Sequence, residues 1–363
     1  MELNGKRILI IKQSSLGDVV HALPLAHGLK RTSPSCEIGW VVESRLQDLI
    51  RHDRTIDQVF AVRIPSTSEP GAPKGVYWSA LKSTLQTITS LREQFVRKPF
   101  DLVLDLHASF RSGILALTNP GGRRYGFADA RELNTFFQHA LVRNPLKKEH
   151  AVEKNLLFAQ KLGFEVRSQD FFIDFGSEAE EEVELFLRGA GYCSTRPLIY
   201  MSPVARWASK FWLRQRWADL ADRVLASGKQ VVFGGGPGDL NYIQTIVRLM
   251  RMEPIIAAGK LSLAASIALL QRSDIYAGLD TGPMHIAAMV NTPVVALFGP
   301  THPERVGPYG VASAVLQAPD VDCLSCRMRT CTHKSCMHGI TVHAVYDAME
   351  RLYERAQRPQ KCR

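Results

Sequence analysis

Long apolar runs are absent from this sequence. No segment approaches the roughly 18 consecutive apolar residues that a membrane-spanning helix needs. The first residues contain only the apolar run ILII before Lys12 and a polar stretch, which is too short for a secretory signal. We therefore expect a protein of the cytoplasm.

Long tracts of lysine and arginine are also absent, as are basic stripes interleaved with aromatic residues. This argues against a dedicated nucleic-acid-binding module, and we expect no nucleic acid among the partners. The formal net charge of the chain is nevertheless +10. Such a charge favours acidic partners, which leaves phosphorylated small molecules and an anionic membrane surface as candidates.

Two common nucleotide-binding signatures are missing. The loop after the first apolar run, QSSLGD, lacks the G-x-G-x-x-G spacing of a dinucleotide site, so a nicotinamide oxidoreductase is the least favoured enzyme class. The Gly-rich stretch FGGGPGD (233–239) lacks the Gly-Lys-Ser/Thr of a Walker loop. It could let a nucleotide approach the backbone closely, with Asp239 bonding ribose hydroxyls, but a plain turn fits it equally well.

What the sequence has is an alternation of short apolar runs with segments of helical spacing, in two halves of similar plan. This alternation is typical of βαβ units with parallel sheets, and 363 residues suffice for two domains. We expect two doubly wound domains, 1–172 and 173–340, then a C-terminal helix and tail, 341–363. Residues 64–77, rich in Ser, Pro and Gly, are predicted to form a loop. Strands are predicted at 6–12, 37–43, 100–109, 197–203, 230–233, 274–280 and 293–300.

Doubly wound domains bind ligands at the carboxyl ends of their strands, and two that face each other would form one cleft. In the first such loop, Gly17 allows a tight turn and Asp18 falls at or just inside a helix start. Asp18 is therefore predicted either to cap the helix or to act as a general base. The helix N-terminus favours its charged form, whereas a dry cleft would raise its pKa.

Two cations follow the first strand of the second half. Arg206 and Lys210 are four residues apart in VARWASK and would share a face if this stretch is helical. Such a pair suits a diphosphate, because each cation can bind phosphate oxygens and offset the charge of a departing group. A solvated basic turn is the alternative.

The stretch YAGLDTGPMH lies at another strand end and predicts a helix that starts near Pro283. The N–H groups of Thr281 and Gly282 would suit phosphate oxygens there. His285 could add a hydrogen bond or could simply pack inside the helix, and Asp280 is expected to fix the turn. A well-capped helix without a ligand is the alternative. Thr301, after the following strand, could also face the cleft.

Four of the seven cysteines cluster in CLSCRMRTCTHKSC. The spacing C-x2-C-x4-C-x4-C is compatible with a structural zinc site made by Cys323, Cys326, Cys331 and Cys336. Free or redox-active thiols are an alternative, and the reducing cytoplasm disfavours disulfides.

Together, SSLGD, ARWASKFW (205–212), DTGPMH and FGPTHP resemble the pattern of glycosyltransferase family 9, the ADP-heptose:lipopolysaccharide heptosyltransferases. The four motifs occur in the family's order and span nearly the whole chain. The resemblance implies a GT-B fold, with two Rossmann-like domains facing across a cleft. It also implies an inverting sugar transfer that needs no cofactor, with residues 1–172 as the acceptor domain and 173–340 as the nucleotide-sugar domain.

The resemblance further implies the substrates and the site residues. The donor would be ADP-L-glycero-D-manno-heptose, and the acceptor the inner core of lipopolysaccharide, either Kdo-lipid A or a core heptose, at the cytoplasmic face of the inner membrane. The implied catalytic residues are Asp18, as general base, and Lys210, as the phosphate-binding lysine. The implied donor-binding residues are Arg206, Gly235, Gly236, Asp239, Asp280, Thr281, Gly282, His285 and Thr301. The implied acceptor-binding residues are Ser15, Arg111 and Arg131; for the two arginines a solvated surface position is an equal alternative.

Two other functions stay open at this point. One is a related glycosyltransferase with another nucleotide-sugar or acceptor. The other is a non-catalytic protein of the same fold that binds nucleotide-sugars or glycans, against which the presence of both Asp18 and Lys210 argues.

Overall fold

The computed structural model describes residues 2–63, 76–147 and 149–357. The chain divides into two compact units, Met1–Asp174 and Phe175–Arg363. Each unit contains one six-stranded sheet in which every pairing is parallel, with helices between the strands. This confirms the predicted class of two α/β domains.

The amino-terminal unit has the strand order β3-β2-β1-β4-β5-β6. Its strands are β1 (Arg7–Ile11), β2 (Glu37–Glu43), β3 (Gln58–Val62), β4 (Leu102–Asp105), β5 (Arg123–Phe127) and β6 (Ala140–Val142). Its α-helices are α1 (Leu16–Val20), α2 (Leu23–Thr32), α3 (Val76–Arg97), α4 (Phe110–Ala116) and α5 (Ala151–Leu162).

The carboxy-terminal unit has the strand order β12-β11-β10-β7-β8-β9. Its strands are β7 (Leu198–Ser202), β8 (Gln230–Phe233), β9 (Ile255–Ile256), β10 (Ile275–Leu279), β11 (Val294–Leu297) and β12 (Ser313–Leu316). Its α-helices are α6 (Ser177–Gly189), α7 (Arg214–Ala226), α8 (Leu240–Val247), α9 (Leu263–Arg272), α10 (Gly282–Met289), α11 (Pro303–Val306), α12 (Ser335–His338) and α13 (Val342–Gln357).

The central strands are apolar along their whole length because helices cover both faces of each sheet. In β1, Ile8, Leu9, Ile10 and Ile11 are fully buried, and in β10 every residue is buried. Such continuous apolar runs are what made these strands predictable from the sequence.

Both sheets have the doubly wound order 3-2-1-4-5-6, counted within each unit, so the strand order reverses once in each. In the amino-terminal unit the reversal lies between β1 and β4, where Ile11 pairs with Asp105. In the carboxy-terminal unit it lies between β7 and β10, where Ser202 pairs with Gly278. Ligands of such sheets bind at the carboxyl ends of the two strands that flank the reversal.

Some segments differ from the sequence-based expectation. The helix predicted after β1 is two helices, α1 and α2, and Pro24 stands in the first turn of the second, where its missing N–H costs little. The stretch that carries Arg206 and Lys210 is not an α-helix but ends in a 3₁₀ turn, Ala208–Lys210. The predicted loop at 64–77 lies outside the described residues up to residue 75, and the last two positions belong to α3. No helix in the described part of the chain is long and apolar enough to cross a membrane.

Candidate active site

In the amino-terminal unit, the loop after β1 leads into α1, and Asp18 lies in the first turn of that helix. Its Oδ2 accepts hydrogen bonds from the Ser15 backbone N–H at 2.9 Å and from Ser15 Oγ at 2.7 Å. Asp18 and Ser15 thus form a capping box, as one of the two sequence-based readings predicted. Both bonds go to Oδ2, so the turn does not use Oδ1.

The charge of Asp18 is set by its surroundings. Burial works to raise the pKa of this carboxyl group, but the nearby Lys12 ammonium and the hydrogen bonds from Ser15 outweigh burial and hold the pKa at about 2. Lys12 is itself 9% exposed, and its ammonium donates to the Leu106 carbonyl oxygen at 2.8 Å. A buried lysine at the end of β1 therefore keeps Asp18 ionised.

The loop after β4 is held by Asp105, the last residue of that strand, which is fully buried. Its Oδ1 accepts from the backbone N–H groups of His107 and Ala108, both at 3.1 Å. Its Oδ2 accepts from Asn134 Nδ2 at 2.7 Å and from Ser112 Oγ at 2.9 Å. These bonds fix the turn that places His107 beside the Asp18 loop.

His107 is an uncharged group at neutral pH. Burial lowers its pKa to about 4, and the charges of Lys12 and Arg111 add to this, while Asp18 opposes them. Its Nδ1 is buried and has no hydrogen-bond partner among the described residues, and the same holds for Gln13 Nε2 in the loop after β1. These two atoms at the ends of neighbouring strands are left with hydrogen-bonding capacity for water or for a polar ligand.

Of the three predicted acceptor-binding residues in this unit, two lie near the strand reversal and one does not. Ser15 is bonded to Asp18, and Arg111 lies close enough to His107 to influence its pKa. Arg131 is an exposed residue of the loop after β5. The structure therefore brings Ser15 and Arg111 to the strand reversal and leaves Arg131 on the surface.

In the carboxy-terminal unit, the two loops at the strand reversal meet in an ion pair. Lys210, after β7, donates from its ammonium to Asp280 Oδ2 at 2.7 Å and to the Asp280 carbonyl oxygen at 2.8 Å. His285 Nε2 lies 3.8 Å from Asp280 Oδ1. We expected Asp280 to fix its own turn; the structure shows that it instead joins the loop after β10 to the lysine of the loop after β7.

Helix α10 starts as predicted. Thr281 is its N-cap, Gly282 is its first residue, and Pro283 stands in the first turn. The first N–H groups of an α-helix have no partner within the helix, and the helix dipole favours an anion beside them. The start of α10 and Lys210 therefore offer N–H groups and a cation from two adjacent loops. Thr301, after β11, is 8% exposed, and its hydroxyl has no partner among the described residues.

The remaining predicted donor-binding residues either stabilise their own turn or are exposed on the surface. Asp239 Oδ2 accepts from the Gly236 N–H at 2.8 Å, so its carboxylate stabilises the Gly-rich turn after β8. A Cβ on Gly235 would stand 3.0 Å from Asp239 Cβ, so this turn leaves little room for a side chain there. Arg206 is exposed.

The zinc site predicted for the cysteine cluster is not supported. Within the described ranges of the chain, no group of three or more His, Cys, Asp or Glu side chains is arranged to hold a metal ion. Cys336 is buried in α12 next to Gly299, whereas Cys326 is exposed, and all four cysteines, Cys323 and Cys331 included, are free thiols. Burial raises the pKa of Cys336, and the three other thiols add to that effect.

Comparison with known proteins identifies the family of the chain. The sequence pattern of glycosyltransferase family 9 (heptosyltransferase) matches residues 88–337. The chain belongs to this family. It is therefore a glycosyltransferase, as its sequence motifs indicated.

Individual proteins and a solved structure that are similar to the chain agree with this family. A lipopolysaccharide heptosyltransferase 1 of Pseudomonas aeruginosa is 28% identical over 335 residues, which cover 90% of this chain and 88% of that protein. The lipopolysaccharide core heptosyltransferase OpsX of Haemophilus influenzae is 26% identical over 84% of this chain and 82% of its own. A family 9 glycosyltransferase structure from Veillonella parvula superposes with a TM-score of 0.83 at 26% identity, covering 98% of this chain and 99% of that one. The GT-B class of the fold is thereby confirmed.

Three residues of the amino-terminal site were not predicted from the sequence: Lys12, Asp105 and His107. Each lies at, or within two residues of, the end of β1 or β4. Their signal was their position after strands that were predicted. Which strands flank the reversal depends on the strand order, and no local pattern reveals that order.

Proposed function

We propose that this glycosyltransferase transfers heptose from ADP-L-glycero-D-manno-heptose to the inner core of lipopolysaccharide, on Kdo-lipid A or on a core heptose. The observation that carries the proposal is that family motifs lie at both strand reversals. SSLGD follows β1 in the amino-terminal unit, and ARWASK and DTGPMH follow β7 and β10 in the carboxy-terminal unit. The substrates are supported by the family and by relatives named lipopolysaccharide heptosyltransferases. The transfer requires no cofactor.

Residues 173–340 are proposed to bind the donor. Lys210 binds the diphosphate, and the N–H groups at the start of α10 donate hydrogen bonds to the diphosphate oxygens. The exposed Arg206 side chain supplies a second cation. Thr281, Gly282 and His285 contact the diphosphate. Thr301 supplies its unpaired hydroxyl. Asp280 acts through Lys210, and Asp239 acts by holding the turn of Gly235 and Gly236 against the nucleoside.

Residues 1–172 are proposed to bind the acceptor. An acceptor hydroxyl attacks the anomeric carbon as ADP departs, and Asp18 takes the hydroxyl proton. A carboxylate with a pKa of about 2 is a weak base towards a neutral alcohol. The proton therefore moves late, when the forming C–O bond has made the hydroxyl acidic. Ser15 orients Asp18, and Arg111 and Arg131 attract anionic groups of the acceptor.

The lipid-bearing acceptor leads us to propose that the protein works as a peripheral protein at the cytoplasmic face of the inner membrane. The loops after β5 and β6 carry the exposed apolar side chains Leu133 (63%), Phe136 (82%) and Leu146 (71%). Arg131 and Arg143 are exposed beside them in the chain. Apolar side chains with neighbouring cations suit the surface of a bilayer that contains anionic lipid.

The transfer is tested by incubating the protein with the ADP-sugar and two defined acceptors, Kdo-lipid A and its heptosylated form, and reading product mass and linkage. Asp18→Ala should lower the rate by about 100-fold or more, the usual scale for losing one group that acts in the transition state, while ADP binding by calorimetry is kept. Loss of ADP binding with substantial residual transfer would show that Asp18 is not the base. Nucleotide binding without transfer to any acceptor would favour a non-catalytic binding protein.

The membrane contact is tested separately by flotation with phosphatidylcholine vesicles, with and without phosphatidylglycerol. We expect the wild-type protein to bind only the anionic vesicles and the Leu133→Ser/Phe136→Ser variant to bind them weakly. Leu185→Ser is the matched control, because Leu185 is 75% exposed on the other unit. Equal binding by all three proteins would reject this surface.

A further inference from the structure

A short part of the cysteine-rich segment, residues 325–329, lies against two loops of the carboxy-terminal unit. One is the loop after β7, which carries Lys210, and the other is the loop after β11, which carries Thr301. Residues 325–329 belong to none of the four family motifs. Their hydrogen bonds with the two loops all use a main-chain group on at least one side, and the Arg329 side chain adds a contact with the Trp207 ring.

The contact with the loop after β7 is made through Ser209. Its Oγ donates to the Met328 carbonyl oxygen at 2.6 Å, and its backbone N–H donates to the Arg329 carbonyl oxygen at 3.2 Å. Ser209 is 1% exposed, so the donor side of these bonds is shielded from water. It immediately precedes Lys210 in the 3₁₀ turn Ala208–Lys210.

A second contact restrains the lysine side chain. The Lys210 ammonium lies 4.9 Å from the centre of the Trp207 ring, and the Arg329 guanidinium lies 5.6 Å from the same centre. Cations near an indole ring are attracted to its π face. Residues 325–329 therefore contact the loop after β7 at Trp207 as well as at Ser209.

The contact with the loop after β11 is as extensive. The Ser325 N–H donates to the Gly299 carbonyl oxygen at 2.8 Å, and the Arg327 N–H donates to the Pro300 carbonyl oxygen at 2.7 Å. Ser325 Oγ also donates to the Thr301 carbonyl oxygen at 3.1 Å. Two loops that leave different strands are thus connected to each other through a third piece of chain.

We infer that Ser209, held by residues 325–329, is a positioning residue that sets Lys210 for the donor diphosphate. The inference rests on the proposed function in so far as Lys210 binds that diphosphate. The loop after β7 has left the sheet, so the strand ladder no longer fixes it. The bonds from Ser209 replace that restraint directly before the lysine, and preorganised cations bind charge without a cost of reorganisation. This gives residues 325–329 of the cysteine-rich segment a structural role.

The test compares Ser209→Ala with Ser273→Ala, a matched control. Ser273 is also buried and also donates to a carbonyl oxygen, that of Leu269 at 2.7 Å, at the end of α9. Wild-type protein must first bind ADP in calorimetry; if it does not, the proposed function fails and the inference is not at issue. With binding established, Ser209→Ala should weaken ADP binding about three- to tenfold, the scale of one buried hydrogen bond. AMP, which lacks the second phosphate, should lose less.

Kinetics and a conservative variant separate positioning from general stability. We expect Ser209→Ala to raise the donor KM about three- to tenfold with a smaller change in kcat, and Ser209→Thr, which keeps the hydroxyl, to recover most of the affinity. Equal losses in Ser209→Ala and Ser273→Ala, equal losses for ADP and AMP, or no loss at all would each overturn the inference. If Ser209→Ala does not fold, Ser325→Ala is measured in the same assays, because it removes only the hydroxyl bond to Thr301. A raised donor KM in Ser325→Ala would support the inference, and an unchanged donor KM would overturn it.

Discussion

The ammonium of Lys210 is bonded to both the carboxylate and the carbonyl oxygen of Asp280, at 2.7 and 2.8 Å. The two side chains are 14% and 5% exposed, so the pair is largely shielded from water. Breaking such a pair leaves an uncompensated charge, which costs more than the pair itself contributes. One lysine therefore holds two loops together and is also the proposed ligand of the donor diphosphate.

These two roles can be separated by a pair of substitutions. Lys210→Met should lower the free energy of unfolding by about 3 kcal/mol, because it leaves the buried Asp280 carboxylate without its ammonium partner. The double variant Lys210→Met/Asp280→Asn should regain most of that stability in denaturant unfolding and still fail to bind ADP tightly. Recovery of ADP affinity together with stability would mean that the lysine serves only the structure.

The sequence predicted those parts of the fold that show in local periodicity. β1, β2 and β10 were predicted because each is a short, mostly apolar run that stands out from the polar residues around it. The short strands β6 and β9, of three and two residues, carry too little pattern to be recognised. They exist because the neighbouring strand offers them a ladder, which is tertiary information.

In the site, too, some features follow from the local sequence and others depend on tertiary structure. The place of Asp18 in the first turn of a helix and of Thr281 at a helix start follow from capping chemistry within a few residues. The pair of Lys210 with Asp280 joins residues 70 positions apart, and Ser209 meets Met328 across 119 positions. Contacts of that range depend on the strand order, so no local pattern predicts them.

The buried carboxylate of Asp105 should be the most sensitive polar group of the amino-terminal unit. Asp105→Asn would present an amide to Asn134 Nδ2 and Gln138 Nε2, which already donate to Oδ2 at 2.7 and 3.2 Å. We expect a loss of about 2 kcal/mol in the free energy of unfolding, the scale for buried donors left unsatisfied.

The control for Asp105 is an exposed carboxylate. Asp129 pairs with Lys154 at 2.7 Å in solvent, so Asp129→Asn should change the free energy of unfolding by less than about 1 kcal/mol. Denaturant titration of both variants gives the comparison. Similar small losses in the two would show that the network around Asp105 does not stabilise the unit.

A strained residue in the loop after β4 offers a stabilising substitution. Ala108 has φ +59°, a left-handed conformation that costs a residue with a Cβ about 1–2 kcal/mol. Ala108→Gly should raise the free energy of unfolding by about 0.5 kcal/mol after the entropy of the glycine is subtracted. Gly122→Ala should do the opposite, because φ there is +76° and a Cβ would collide with the Phe100 carbonyl oxygen. Thermal unfolding of the two variants checks the signs, and a destabilised Ala108→Gly would contradict the strain.

The Lys12 ammonium should control the acid side of the pH profile of kcat/KM. Against the effect of burial, and together with the hydrogen bonds from Ser15, it holds the pKa of Asp18 at about 2, below the ordinary value of 3.8. The Asp18 carboxylate therefore stays charged until the pH falls to about 2. The stability that comes from the depressed pKa is present above pH 3.8 and is lost as the pH falls through about 2.

Lys12→Gln keeps a hydrogen-bond donor near Leu106 and removes the charge, so the pKa of Asp18 should rise. We expect the fall of kcat/KM on the acid side to begin at a higher pH in Lys12→Gln than in the wild type. Lys98→Met is the control, since Lys98 pairs with Glu37 at the start of β2, at the opposite end of the strands from Lys12. Superimposable pH profiles of kcat/KM for all three proteins would show that either Lys12 does not govern Asp18 or the protonation of Asp18 does not limit transfer. Spectroscopic titration of the Asp18 carboxyl in Lys12→Gln and wild type then separates the two, because only the first leaves its pKa unchanged.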